Sequence, residues 1–269
     1  MDTYTKSNML NWDDRVDLHT EKTDNSFYDI DGFINGKSTL RSIEIEELGD
    51  VRNKDLLHLQ CHFGLDTLSW ARLGANVTGV DFSHKAIDYA IDLSKRVKLK
   101  ADFICSEVME LTDKLDSKFD IVFASYGVFC WIKSVAKWFE IASHFLKKDG
   151  ILFIIDGHPM IDTLEYEDNR LDLRYSYFEG EPVIFEIEKS YTESEGKIEN
   201  KTSYEWNHEL STFVNESIRN DLEIISLREY PFCFWKRYDN MKQNRDGWWE
   251  FDYQNIKLPF MFSLKARKT

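Results

Sequence analysis

Leu56–Ala90 reads LLHLQCHFGLDTLSWARLGANVTGVDFSHKAIDYA. An apolar run, Leu56 to Leu59, predicts a strand that breaks at Gln60-Cys61-His62-Phe63-Gly64. A helical pattern follows over about Leu65–Leu73, then a second strand at Val77–Val80 that ends in Asp81. Ser83 stands where an N-cap belongs, and Ala86, Ile87, Ala90 and Ile91 fall on one face of the helix it would start. Strand and helix alternating at this rhythm predict a parallel sheet covered on both faces.

The same rhythm continues downstream. Asp102–Cys105 and Phe119–Ala124 read as the third and fourth strands. Val135, Trp138, Phe139, Ala142, Phe145 and Leu146 repeat at helical spacing, and Asp149-Gly150 turns the chain into a fifth strand, Ile151–Asp156. After Pro159 the rhythm breaks, with β-like stretches at Val183–Ile187 and Lys201–Trp206. It resumes with a helix at about Leu210–Asn220 and strands at Leu222–Glu229 and Pro259–Lys265. The expected fold is α/β, a doubly wound, mostly parallel seven-stranded sheet whose last two strands form an antiparallel end. Residues 1–50 are expected to form an N-terminal helical cap. Residues 51–269 would then form the main domain, with insertions at about 160–206 and 231–256, after strands 5 and 6. The second insertion is unusually aromatic: Phe232, Phe234, Trp235, Tyr238, Trp248, Trp249, Phe251 and Tyr253. No internal repeat or low-complexity linker is visible.

Composition narrows the class. With 42% hydrophobic residues, 19 Phe and 8 Trp, the 269 residues can fill a sizeable core. The net charge is −14, and residues 160–200 carry twelve acids against four bases. Such a surface repels phosphate backbones, so nucleic acid is not the expected partner. Cys61, Cys105, Cys130 and Cys233 lack metal-ligand spacing and read as reduced thiols, so no metal is expected. The first residues lack the pattern of a signal peptide, and no apolar run has the roughly 20 residues of a membrane helix. A cytoplasmic protein with no membrane partner is the expectation.

Ligands of open parallel sheets lie outside the carboxyl ends of the strands, so the residues there carry the function. Gly64 would let backbone approach a ligand where the chain enters its helix. Asp81, ending the second strand, can accept from both hydroxyls of a ribose. Glu107, past the third strand, can accept from an adenine amino group. Ser125-Tyr126-Gly127, past the fourth, opens the floor of the same crevice.

Here the chain resembles a known family. Leu56–Ala90, with FDIVFASYGVFCWI (119–132) and LKKDGILFIIDGHP (146–159), is similar to the motifs of class I S-adenosylmethionine-dependent methyltransferases. A bacterial subgroup whose first motif reads Leu-Gln-Cys-His-Phe-Gly is the nearest likeness, strong over Asp55–His158. The resemblance implies a Rossmann-like methyltransferase fold, S-adenosyl-L-methionine as cofactor, and methyl transfer to a small-molecule acceptor. It places Gln60, Cys61, His62 and Gly64 around the amino-acid end of the cofactor, and Asp81 on its ribose with Phe82 grouped among the binding residues. Glu107 and Val108 would lie beside the adenine, and Ser125 near the methionine part. The family's usual first motif has an acid where this chain has His58, and glycines where it has Gln60 and His62.

Methyl transfer from a sulfonium is an in-line displacement in which alignment and water exclusion do most of the work. A base is needed only for some acceptors. His158, just past the fifth strand, is the candidate catalytic residue, with His62 also near and His208 behind both. Tyr126–Trp131 and Pro231–Tyr253 could wall an acceptor pocket, where rings also favour a cation. Met9–Tyr28, including Trp12, Arg15, His19 and Tyr28, would close over the cofactor, as such segments do in similar methyltransferases. Two rival readings stand. A nicotinamide oxidoreductase would want Gly-x-Gly-x-x-Gly where residues 60–65 hold one glycine. A non-catalytic module that binds S-adenosylmethionine or S-adenosylhomocysteine is the other.

Overall fold

A computed structural model describes residues 1–21, 27–192 and 194–269. Five strands run parallel through its middle: β1 (Asp55–Leu59), β2 (Asn76–Asp81), β3 (Asp102–Cys105), β4 (Phe119–Ser125) and β5 (Leu146–Gly157). Two more, β6 (Leu222–Tyr230) and β7 (Met261–Lys268), complete a seven-stranded sheet in the order β6-β7-β5-β4-β1-β2-β3. β7 is antiparallel to both its neighbours, pairing Leu264 with Ile154 and with Leu227. This is the expected doubly wound, mostly parallel sheet. The middle strands β1 and β4 are apolar along nearly their whole length because helices cover both faces.

Seven helices flank the sheet among the described residues: α1 (Thr3–Thr20), α2 (Ile30–Ile34), α3 (Ser42–Leu48), α4 (Leu65–Arg72), α5 (His84–Arg96), α6 (Val135–Phe145) and α7 (Leu210–Arg219). Ser83 caps α5 as its sequence implied, its side chain accepting from Ala86 N–H at 3.0 Å. On one face α6 buries Trp138, Phe139, Ala142 and Phe145 against Leu57, Val122, Leu152 and Phe213. Rings the size of Trp138 and Phe139 each contribute roughly 2–3 kcal/mol when fully buried. On the other face Trp70 packs with Phe123 and Phe153.

The regions expected as insertions hold their own short strands. Leu164–Glu167 pairs with Arg170–Leu173, and Val183–Glu186 with Thr202–Glu205. Phe232–Cys233, Trp249–Glu250 and Lys242–Gln243 form a separate three-stranded sheet. The first and last of these β-features have no clear alternation in sequence, because charged and aromatic residues mix there. Both segments leave from the carboxyl edge of the main sheet, which puts them over its crevice.

Candidate functional site

The carboxyl ends of β1 to β5 open on one cavity of about 1810 Å³. Gln60, Cys61, His62, Gly64, Asp81, Phe82, Glu107, Val108 and Ser125 all line it. The topology explains this convergence: each strand of a parallel sheet delivers its following loop to the same edge.

The loop after β1 is held by unusual backbone. Gln60 and His62 have φ of +55° and +51°, and Gly64 has +82°. A side chain in this left-handed region costs roughly 1–2 kcal/mol, so Gln60 and His62 must recover it elsewhere. The Gln60 Oε1 accepts from the buried Trp138 indole N–H at 2.8 Å. His62 donates its backbone N–H to Asp81 Oδ2 at 2.8 Å, and its Nε2 meets His19 Nδ1 at 2.9 Å. The structure revises the reason for Gly64. A Cβ there would lie 2.8 Å from the Phe103 ring and 3.0 Å from Ala90, so the glycine is required by its backbone and by packing beneath the loop.

Asp81 is a wall residue and a brace together. Its Oδ2 takes the His62 amide and its Oδ1 the Ser83 amide at 2.9 Å. Burial pushes its carboxyl up to about 6 despite these bonds. Glu107 is also pushed up by burial and stands 3.7 Å from the Met1 ammonium. Ser125 donates to Asp66 Oδ2 at 3.1 Å and lies 3.4 Å from His58 Nε2. His58 in turn meets Thr67 at 2.8 Å. Burial holds the His58 and His62 imidazoles down to about 3, so both are neutral near pH 7.

The roof comes from distant segments. The Asn8 side-chain amide donates to the Tyr204 carbonyl and accepts from the Tyr204 N–H, both at 2.8 Å, so α1 stands in for a neighbouring strand. Asn11 donates to Asn200 O at 2.7 Å, and Asp14 accepts the Asn200 N–H at 2.7 Å. Arg15 follows on the same helix, 4% exposed, with its Nε donating to Asn11 Oδ1 at 2.7 Å. Its guanidinium lies over the Trp12 ring at 5.2 Å, lines the cavity, and makes no ion pair among the described residues. Of the Met9–Tyr28 segment, Trp12, Arg15 and Tyr28 line the cavity, His19 sits behind His62, and residues 22–26 lie outside the described residues.

Residues 57–154 match the profile of a methyltransferase domain family. The match runs from β1 into β5. A 104-residue segment is 35% identical to a ubiquinone biosynthesis O-methyltransferase of Pelagibacter ubique, covering 39% of this chain and 42% of that relative. The chain thus spans less than half the length of the curated relative it matches. Among solved structures, an S-adenosylmethionine-dependent methyltransferase of Mesorhizobium loti superposes with a TM-score of 0.58 at 16% identity, over 87% of this chain and 100% of that one. One from Clostridium acetobutylicum gives 0.56 at 15% identity over 91% and 93%. A magnesium protoporphyrin IX methyltransferase of Synechocystis with bound SAM gives 0.54 at 11% identity over 100% and 98%. At these identities the likeness shows the fold.

The far side of the cavity mixes residues of the matched segment with residues outside it. Tyr126–Trp131 line it as expected. From the aromatic insertion Phe234, Trp235 and Trp249 reach it, whereas Tyr238 and Phe251 pack with Ile161 and Phe260 in a satellite core. Asp156, pushed up to about 6 by burial, accepts the Gly127, Val128 and Phe129 amides and so shapes the loop after β4. Asp162 pairs with Arg237 at 3.2 Å.

His158 is the expected residue that the structure does not bring to the cavity. Gly157 and Pro159 line it, but the His158 ring turns away. Its Nδ1 accepts from Met160 N–H at 3.0 Å and its Nε2 lies 2.9 Å from Glu229 on β6. The cause is β7: His158 N–H donates to Phe260 O at 2.9 Å, which continues the ladder and fixes the ring on the β6 side. His208 does line the cavity, with Nε2 2.6 Å from the Ile132 carbonyl. Sequence reasoning did not single out Asp66, Asp162, Glu205 or Arg237. Asp66 had a signal, an acid in the first turn of the helix after the first strand. The others sit in charged, irregular segments where no spacing marked them.

Proposed function

We propose that the chain transfers a methyl group from S-adenosylmethionine to a small-molecule acceptor. One observation carries the reading: loop 60–64, Asp81, Phe82, Glu107 and Val108 line one cavity at the carboxyl ends of β1, β2 and β3, in chain order. These residues fit a charged nucleoside. Each Asp81 oxygen has one amide partner and retains a lone pair for a ribose hydroxyl. Val108 offers an apolar surface beside the Glu107 carboxylate for a base. Arg15, buried with no carboxylate partner among the described residues, fits the carboxylate of the methionyl end.

When bound, the cofactor supplies a methyl carbon made electrophilic by its sulfonium sulfur. The chain's part is to bind, align and exclude water. Loop 60–64, braced by Trp138, Asp81 and His19, gives a preset backbone for the amino-acid end. α1 and the strand Thr202–Glu205 shut off solvent from above. His62, neutral at working pH, accepts or donates one hydrogen bond without adding charge beside a sulfonium. The Pelagibacter relative is named an O-methyltransferase, so hydroxyl acceptors belong in the first acceptor panel.

Calorimetric titration with S-adenosylmethionine, S-adenosylhomocysteine and NAD tests the cofactor. Tighter binding of NAD than of both others overturns the reading. Release of S-adenosylhomocysteine across a panel of hydroxyl and amine acceptors tests the transfer. Binding without turnover on any of them favours a sensing module.

A further inference from the structure

Past the ring of cofactor residues the cavity continues between the loop after β4 and the two insertions. Its charges there sort unevenly. Asp156 spends both oxygens on backbone amides. Asp162 is paired with Arg237, whose remaining nitrogens reach the Ile161 carbonyl at 3.0 Å and the Tyr238 hydroxyl at 3.4 Å. Glu205 is different. It ends the strand Thr202–Glu205, lines the cavity, and makes no side-chain hydrogen bond or ion pair among the described residues.

The position of Glu205 is fixed by its neighbours. Trp206 N–H donates to Cys130 O at 2.8 Å, which lays the end of this strand beside the loop after β4. Tyr204, one residue earlier, is clamped by Asn8. Burial and the facing Asp162 push the Glu205 carboxyl up to about 7, while Arg15 and Arg237 act on it without pairing. The indoles of Trp131 and Trp235 line the same space. Trp235 lies against Gly157 at the end of β5, where a Cβ would sit 4.0 Å from its ring. A carboxylate left without a partner in a cavity walled by indoles is the chemistry that recognises an organic ammonium.

We propose that the methyl acceptor carries a cationic amine, held by the Glu205 carboxylate with its hydrocarbon frame against Trp131 and Trp235. This rests on the methyltransferase reading above, which assigns Arg15 to the cofactor and leaves Glu205 to the acceptor. The group recognised need not be the atom methylated. A hydroxyl elsewhere on the same molecule satisfies both this site and an O-methyl transfer.

The test uses three probes of one shape and three charges: tryptamine, its neutral hydroxyl analogue tryptophol, and the anion indole-3-propionate. Each is titrated calorimetrically into the full chain, with and without saturating S-adenosylhomocysteine. Tryptamine should bind at least about tenfold tighter than the other two, the worth of one charge-assisted hydrogen bond. Glu205→Gln should abolish that preference and leave S-adenosylhomocysteine affinity unchanged, while Glu205→Asp should keep part of it. Equal binding of the three probes, tighter binding of the anion, binding of none, or a preference that survives in Glu205→Gln each overturns the proposal. The wild-type comparison across probes stands even where a variant fails to fold. The S-adenosylhomocysteine titration alone reports on the cofactor reading, so failure there is distinguishable from failure of the amine site.

Discussion

The carboxylate of Asp81 takes the backbone N–H of His62 at 2.8 Å, so the end of β2 holds the loop that follows β1. One side chain thus lines the cavity and keeps a left-handed residue in place. Asp81→Asn retains an acceptor for the His62 amide but removes the charge. It should weaken S-adenosylhomocysteine binding about tenfold, from the loss of one charge-assisted bond of roughly 1.5–3 kcal/mol, with a near-native melting temperature. Asp81→Ala should add a loss of stability, because the amides of His62 and Ser83 both lose their partner. An unchanged dissociation constant in Asp81→Asn confines Asp81 to the brace.

A variant at Arg15 would separate the two halves of the cofactor. Arg15→Met keeps an unbranched buried side chain and deletes the guanidinium. Affinity for S-adenosylhomocysteine should fall about tenfold or more, while affinity for 5′-methylthioadenosine, which lacks the amino-acid end, should not move. Equal losses for both ligands place Arg15 in the general packing of the roof.

His158 points away from the cavity, and we expect it to serve the sheet rather than the chemistry. Its ring bridges Met160 N–H and Glu229, and burial holds its pKa below the ordinary histidine value. His158→Ala should cost about 1–3 kcal/mol in urea unfolding and leave the turnover of the folded protein and its pH profile as in wild type. A profile that loses a limb returns His158 to the mechanism.

Glu44, wholly buried on α3 with Oε2 lacking a hydrogen bond, has its carboxyl pushed up to about 7 by burial, with Asp66 adding to it. The folded state therefore binds its proton more tightly than the unfolded chain does. Stability from this group is complete below its ordinary value of 4.5 and is lost as pH rises through about 7. The loss is on the order of 3 kcal/mol. Glu44→Gln, neutral at every pH, should remove that part of the slope. Urea unfolding of both proteins at pH 5 and pH 7.5 reads it, and parallel slopes count against a buried, protonated Glu44.

The sheet was legible because its strands are apolar runs punctuated by Gly64, Asp81 and Gly150, and because α5 and α6 carry their apolar faces at helical spacing. Local pattern and global fold agree there. The first wall of the cavity was legible for the same reason, since strand ends in a parallel sheet must converge. The second wall was not. Glu205, Asp162 and Arg237 reach the cavity on segments that cross back over the sheet, and nothing in the neighbouring residues marks which acid of a charged stretch turns inward. His158 shows the opposite case. Its sequence position at a strand end is right, but β7 continues the ladder one residue further and turns the ring to the wrong side. Gly64 was identified for the right place and an incomplete reason, because Phe103 and Ala90 are invisible to a reading of the loop alone.

The grip of α1 runs from side chains on the helix to backbone, Asn8 holding Tyr204 in the strand Thr202–Glu205 and Asn11 and Asp14 holding Asn200 just ahead of it. Helix and hairpin are therefore fastened into a single flap whose two anchor points lie nearly two hundred residues apart in the chain. We expect such a flap to move as one body, with one rate governing the passage of every ligand. A crosslink between positions 8 and 204 would leave that rate untouched, whereas one from α1 to α5, where Ser83 meets Asp13 at 2.5 Å, would bolt the flap to the frame and slow arrival and departure alike.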